Sequence, residues 1–427
     1  MTGADPGVEA RRLAGALLEG ALSGRDGLAA VQAGKGFSAL SPPDRAFARA
    51  CAMGALRRLG EIDLALDSRL KTAPPQQVRT LLRIALAQRW VLDVPAFAAV
   101  SSAVKLAERE VRTRPYKALV NAVLRGLERD PAPPAPPQAN LPDWIAARWT
   151  QSWGPEAAAA IAAAVRQEPP TDLSLKPGQD AEALARALEG EVLPGGSVRT
   201  RLRGDLTGWP GYADGGWWVQ DAAAAVPVRA LDPRPGEAVL DLCAAPGGKT
   251  LQLAAAGAAV VALDRNAARL RRLQENLTRT GLTAEVVAAD AERWDDPRTF
   301  DAVLLDAPCT ATGTLRRHPE VLHAVRPGDV ADLAEVQHRL LDAAADRVRP
   351  GGRLVYAVCS LEREEGEGQI PAFLRRRPDF RLVAIDPVAV GAPETAAGPQ
   401  GLRLHPGQWP DRGGLDGFFL ARLDRTA

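Results

Sequence analysis

Between Ala10 and about Arg129 apolar residues return every three or four positions, as in Leu56, Leu59, Ile62, Leu66 and Leu70, the repeat of helices that bury one face. An all-helical region over residues 1–130 is expected. Ser41-Pro42-Pro43-Asp44 offers a helix start, and Ala73-Pro74-Pro75 separates one helix from the next. The pattern stops at Asp130: the prolines that follow, up to Pro137, lack amide protons and clash with a preceding turn. Residues 131–140 therefore read as a semi-rigid linker. Residues 141–210 mix helix-like segments (144–149, 156–166, 181–188) with strand-like ones (171–175, 197–202), a small α+β connecting region. In residues 211–427 short apolar runs at 238–242, 259–263, 284–288, 302–305 and 353–358 alternate with helical stretches. That alternation predicts an α/β domain with a Rossmann-like, doubly wound parallel sheet. No internal repeat is evident.

Composition adds little to this. The 427 residues exceed one domain of about 100–200 residues, and 46% hydrophobic with 25% charged residues is an ordinary soluble mixture. Net charge is +1, yet over residues 1–130 Lys and Arg outnumber Asp and Glu, 20 to 13, so any phosphate-facing surface is expected there. No apolar run is long enough to span a bilayer, and the start carries acidic residues where a signal peptide would be basic. A cytoplasmic protein without a membrane partner is expected. Cys51, Cys243, Cys309 and Cys359 lack zinc-type pairing, so neither a metal site nor a disulfide framework is expected, and each thiol is judged singly.

In open parallel sheets ligands bind beyond the carboxyl ends of the strands. Here those ends are polar: Asp241-Leu242-Cys243-Ala244-Ala245-Pro246-Gly247-Gly248-Lys249-Thr250 after the first run, then Asp264, Asp290, Asp306-Ala307-Pro308-Cys309 and Cys359-Ser360. The small residues from Ala244 to Gly248 admit a ligand close to the backbone, and the following helix amides can receive an anionic group. Asp264, about 20 residues beyond the first strand, stands where nucleotide-binding folds place a ribose-binding carboxylate; a surface acid is the plainer alternative. Asp290 could read an adenine or simply cap a helix. Neither dinucleotide nor P-loop glycine spacing is present, which leaves S-adenosylmethionine as the cofactor to expect.

The last two strand ends each carry a cysteine, and neighbouring strands would set them about 5 Å apart. Cytosine carbon 5 is too weak a nucleophile to take a methyl group until a thiolate has added to carbon 6. Loss of the carbon-5 hydrogen then needs a base, which a second thiolate can supply. Asp306 could hydrogen-bond the base and favour the charge developing on it, or merely order its own loop. Lys249 could lower a thiol pKa or orient a carboxylate.

With these residues in view, the chain resembles bacterial RNA cytosine-5 methyltransferases of the Sun/Fmu (RsmB) type, which modify small-subunit ribosomal RNA. Residues 241–250 look like the family's cofactor loop, 306–313 like its D-A-P-C-[ST]-x-x-G motif, and Cys359-Ser360-Leu361 with Glu364-Glu365 like its T-C-S-L-x-x-E-E-N-E motif. The resemblance implies Cys359 as nucleophile, Cys309 as the residue assisting release, and a cofactor pocket of Cys243, Ala244, Ala245, Pro246, Gly247, Gly248, Lys249, Asp264, Asp290 and Asp306. Val358 stands where the family usually has threonine, and Gly366 where it often has asparagine. Gly216-Trp217-Trp218-Val219-Gln220-Asp221 is similar to the segment before the catalytic domain, and Asp416-Gly417-Phe418-Phe419 to its closing strand. The N-terminal helices resemble a NusB-type RNA-binding module through 81–85, 100–107 and 120–125. The implied partner is RNA, with 16S rRNA and its cytosine 967 the implied target; no DNA partner is expected, and a monomer is. Two other readings stay open: a transfer-RNA or other ribosomal cytosine target, and a NusB-like antitermination or assembly factor without catalysis, against which two intact cysteines argue.

Overall fold

The computed structural model describes residues 6–24 and 27–427; Asp5, part of the acidic start, lies outside them. The chain divides into two compact units, residues 1–167 with 315–326, and residues 168–314 with 327–427.

The first unit is helical. Its main helices are Pro6–Ser23, Pro42–Arg57, Leu59–Asp67, Gln76–Trp90, Ala96–Arg109, Lys117–Arg129 and Asp143–Val165. Leu56, Leu59, Ile62 and Leu66 are buried, as their spacing requires. Ser41 caps its helix by accepting the Asp44 amide at 3.2 Å. The proline run lies inside this unit, because Asn140 at its end is buried: its side chain donates to Glu61 Oε1 at 2.8 Å and accepts from the Glu61 amide at 3.1 Å. Beyond it, the helix-like segments at 144–149 and 156–166 form one helix kinked at Gly154 (φ 80) before Pro155. Trp149 is fully buried, and Arg57 holds the Val165 carbonyl at 3.4 Å.

The second unit holds two sheets. β1 (Thr171–Leu175), β2 (Glu191–Val192), β3 (Val198–Thr200) and β4 (Trp217–Val219) form a small antiparallel sheet in the order β2-β3-β1-β4. Buried Asp172 receives Arg199 through two bonds of 2.7 Å and the Ala222 amide at 2.9 Å. This locks the small sheet to helix Ala222–Leu231. The large sheet contains β5 (Ala238–Leu242), β6 (Ala259–Asp264), β7 (Glu285–Ala288), β8 (Phe300–Asp306), β9 (Val348–Val358), β10 (Phe380–Val383), β11 (Ala397–Gly398), β12 (Gly401–Leu404) and β13 (Phe418–Arg425), ordered β11-β12-β13-β9-β8-β5-β6-β7 with β10 against β13.

Only β5 to β9 are parallel. The five alternating runs form the parallel part of the sheet as expected, and β13, antiparallel to β9, extends it into a mixed one. The sequences FRLV and GLRL of β10 and β12 are four residues long and each interrupted by an arginine, too short to announce strands by a repeat. The order reverses between β5 and β8, which puts the ligand crevice at the carboxyl ends of these strands.

Candidate active site

β5 runs out through Cys243 (φ 61), Ala244, Ala245, Pro246 and Gly247 (φ 108) into helix Gly248–Ala255. A β-carbon on Gly247 would lie 2.8 Å from Leu273 Cγ, so the loop is pressed onto helix Ala267–Thr280. The Ala244 amide donates to the Leu263 carbonyl at 3.0 Å. Asp264 does stand at the end of β6, against this loop. It accepts the Ala245 amide at 3.1 Å and the Asn266 amide at 2.8 Å, one per oxygen, so it shapes the loop whatever else it binds. Beneath the loop Asp241 is fully buried; Thr250 donates to one oxygen at 2.6 Å, while the other makes no hydrogen bond among the described residues. Burial pushes its carboxyl up to about 7.

Lys249, 8% exposed, reaches across to Asp306 Oδ2 at 2.7 Å, with its ammonium 5.1 Å from the centre of the Phe418 ring. Burial works against its charge, but the Asp306 carboxylate prevails and holds the ammonium above its ordinary range. Cys359 also lies within electrostatic reach of this cation. The site thus gathers Asp241, Cys243, Lys249, Asp264 and Asp306. Asp290 stands beyond β7 next to Ala289, whose amide donates to the Asp264 carbonyl at 3.3 Å; it is exposed, and its Oδ1 accepts the Glu292 amide at 3.0 Å in a turn that no helix follows.

Because β8 pairs with β9, the loops after them lie side by side and the Cys309 and Cys359 sulfurs are 3.5 Å apart. The other two thiols are chemically quiet. Burial pushes Cys51 and Cys243 each up to about 12, which keeps them protonated. Cys309 is also driven upward, first by its hydrogen bond to Cys359 and then by burial and the Cys359 charge. Gly313 is needed by this arrangement: its amide donates to the Cys359 carbonyl at 3.0 Å, and a β-carbon there would lie 2.2 Å from the Gly417 carbonyl oxygen.

The two departures from the family's motif have distinct outcomes. Val358 is fully buried in β9. At Gly366 a β-carbon would lie 2.4 Å from Arg403 Nη2, and that arginine fills the space, pairing with Glu367 at 2.6 Å and donating to the Ser360 carbonyl. Arg403 lies 44 residues beyond Cys359, in β12, so no local motif announced it. Thr310, Gln337, Ser360 and Glu365 also surround the thiol loops through buried hydrogen bonds; of these, Gln337 alone lies outside the motifs at 306–313 and 359–365.

The family described as 16S rRNA methyltransferase RsmB/F matches residues 228–424, and the NusB family matches residues 9–129. A ribosomal RNA small subunit methyltransferase B of Klebsiella pneumoniae (strain 342) is 36% identical over 423 residues, covering 92% of this chain and 95% of the relative. The chain belongs to the RsmB/F family. Another relative of the same name, from Xylella fastidiosa (strain 9a5c), is 39% identical over 397 residues, 89% of this chain and 91% of its own. A solved methyltransferase homolog from Pyrococcus horikoshii is 30% identical, covers 66% of this chain and 94% of its own, and superposes with a TM-score of 0.54. As an RsmB/F member, the chain is an S-adenosylmethionine-dependent methyltransferase of cytosine carbon 5 in ribosomal RNA. The site accords with that cofactor: the small residues and the helix start suit an anionic end, and the orphaned oxygen of buried Asp241 suits a hydrogen-bond donor such as an ammonium.

Proposed function

We propose that the enzyme methylates cytosine 967 of 16S rRNA through a covalent bond from Cys359 to carbon 6, with Cys309 as the later base. The observation that carries the mechanism is the pair of thiols 3.5 Å apart at adjacent strand ends, with Lys249 in electrostatic reach of Cys359. Cys359, as thiolate, attacks carbon 6 and pushes the electron pair of the 5,6 double bond toward carbon 5. The Asp306 carboxylate, fixed by Lys249, accepts a hydrogen bond from the exocyclic amine and holds the ring. S-adenosylmethionine, when bound, supplies the methyl group that carbon 5 takes.

Once bonded to carbon 6, the Cys359 sulfur is a thioether, and Cys309, 3.5 Å from it, is the remaining thiol at the site. Cys309 then releases its proton to water, takes the carbon-5 proton as a thiolate, and the freed pair re-forms the double bond and expels Cys359. For the cofactor, Ala244, Ala245, Pro246, Gly247, Gly248 and Lys249 would form the cradle beside Cys243, with Asp264 on the ribose and Asp290 at the adenine end.

The helical unit is proposed to contact the RNA backbone. Its helices Ala96–Arg109 and Lys117–Arg129 border a groove of about 750 Å³ that includes Lys105, Lys117, Arg125 and Arg129 with Glu108 and Glu128, and Phe97 beside it is 82% exposed. Mapping 5-methylcytosine in ribosomal and transfer RNA from cells with and without the gene tests the target: loss at position 967 alone is expected, and loss only in transfer RNA would overturn it.

A further inference from the structure

The two cysteine loops meet at one buried carboxylate. Glu365 is fully buried, and Oε1 accepts the Thr310 amide at 2.8 Å and Gln337 Nε2 at 3.0 Å. Its Oε2 accepts the hydroxyls of Thr310 and Ser360. Thr310 directly follows Cys309, and Ser360 directly follows Cys359. Gln337 also donates to the Pro308 carbonyl at 2.9 Å, so Cys309 is held on both sides. Four donors converge on this one carboxyl group, whose pKa burial raises while the bonds from Ser360, Thr310 and Gln337 pull it down. No thiol touches Glu365 itself; it acts through the residue after each.

We propose that Glu365 is a positioning residue for the methyl-transfer reaction, setting the separation of Cys309 and Cys359 by gripping Thr310 and Ser360 together. The inference rests on the two-thiol reading above, since only a mechanism using both sulfurs requires their separation to be fixed. Nothing else among the described residues hydrogen-bonds the residue after each cysteine through a single charged group. Glu365→Ala removes all four bonds, whereas Glu365→Gln keeps an acceptor for Thr310 and Gln337 but loses the charge, so the two variants should fall in a graded order.

The test has two arms. In the first, diamide oxidises the Cys309 and Cys359 thiols of the full-length protein to a disulfide, itself taking up the two hydrogens, and the closure rate reads sulfur separation without RNA or cofactor, because the sulfurs must approach from 3.5 Å to about 2.05 Å. The second measures single-turnover adduct formation on RNA carrying 5-fluorocytosine. We expect both rates to fall about tenfold in Glu365→Gln and further in Glu365→Ala, with S-adenosylhomocysteine affinity and RNA KM within about twofold of wild type. Ser360→Ala combined with Glu365→Gln should be less than additive, because both remove the same contact, and this pair decides the matter should Glu365→Ala fail to fold. Wild-type rates in both arms for Glu365→Gln, or a uniform loss of affinity, melting temperature and rate, would overturn the proposal. Absence of adduct in the wild type would instead overturn the two-thiol mechanism, while the diamide arm still reports on Glu365.

Discussion

Asp241→Asn should stabilise the ligand-free protein, and more so as pH rises. The carboxyl is fully buried, and burial moves it from 3.8 to about 7. A carboxyl raised on folding contributes stability that is complete below its unfolded pKa and is lost as pH climbs through the folded value. Between pH 4 and 7 the unfolded chain ionises Asp241 freely while the folded chain resists. Roughly three pKa units at about 1.4 kcal/mol each give a penalty of about 4 kcal/mol, fully developed above pH 7. Asparagine is close to the neutral acid in shape and still accepts the Thr250 hydroxyl, so it escapes the penalty. Urea unfolding of both proteins at pH 4.5, 6 and 8, without cofactor, should show a gap that widens with pH and then levels. A gap of equal size at pH 4.5 and pH 8, or a wild type more stable than the variant at pH 8, would refute the reasoning.

Other perturbations follow from the same geometry. Asp264→Ala loses two amide contacts and the proposed ribose contact, and should weaken S-adenosylhomocysteine binding in calorimetry by about 1.5–3 kcal/mol per charged bond lost; unchanged affinity would remove it from the site. Gly313→Ala places a methyl 2.2 Å from the Gly417 carbonyl oxygen, so a loss of about 1–3 kcal/mol in stability and a sharp fall in turnover are expected, read by melting and by methyl transfer. Lys105→Glu with Arg125→Glu should weaken RNA binding and flatten its salt dependence. Charge reversal is preferable here to deleting residues 1–130, because the compact unit runs on to Gln167.

Much of this was legible from residue order. The helical repeat marked the first unit, and the apolar runs marked the five parallel strands, because strands covered on both faces are largely apolar. Cys309 and Cys359 could be paired from the sequence because strand ends converge in this fold. What escaped depends on long-range packing. The helical unit outlasts the proline run because Asn140 is tied back to Glu61, and no local pattern reports a bond 79 residues away. β10 and β12 are too short to show a repeat, and pairing with β13 is what places them in the sheet. Arg403 and Gln337 reach the thiol loops from distant elements. Asp290 was ambiguous as an acid after a strand; its carboxylate accepts the Glu292 amide in a turn, and no helix follows for it to cap.

The most direct test of the covalent account separates the two thiols on RNA substrate. Cys359→Ala should lack both turnover and covalent adduct, since no thiolate remains to attack carbon 6. Cys309→Ala should attack, accept the methyl group and then stall, accumulating a protein–RNA complex visible on a denaturing gel, because the carbon-5 proton has no base. Adduct with Cys359→Ala and none with Cys309→Ala would reverse the assignment, and an active Cys359→Ala enzyme with no adduct from either variant would contradict the covalent mechanism.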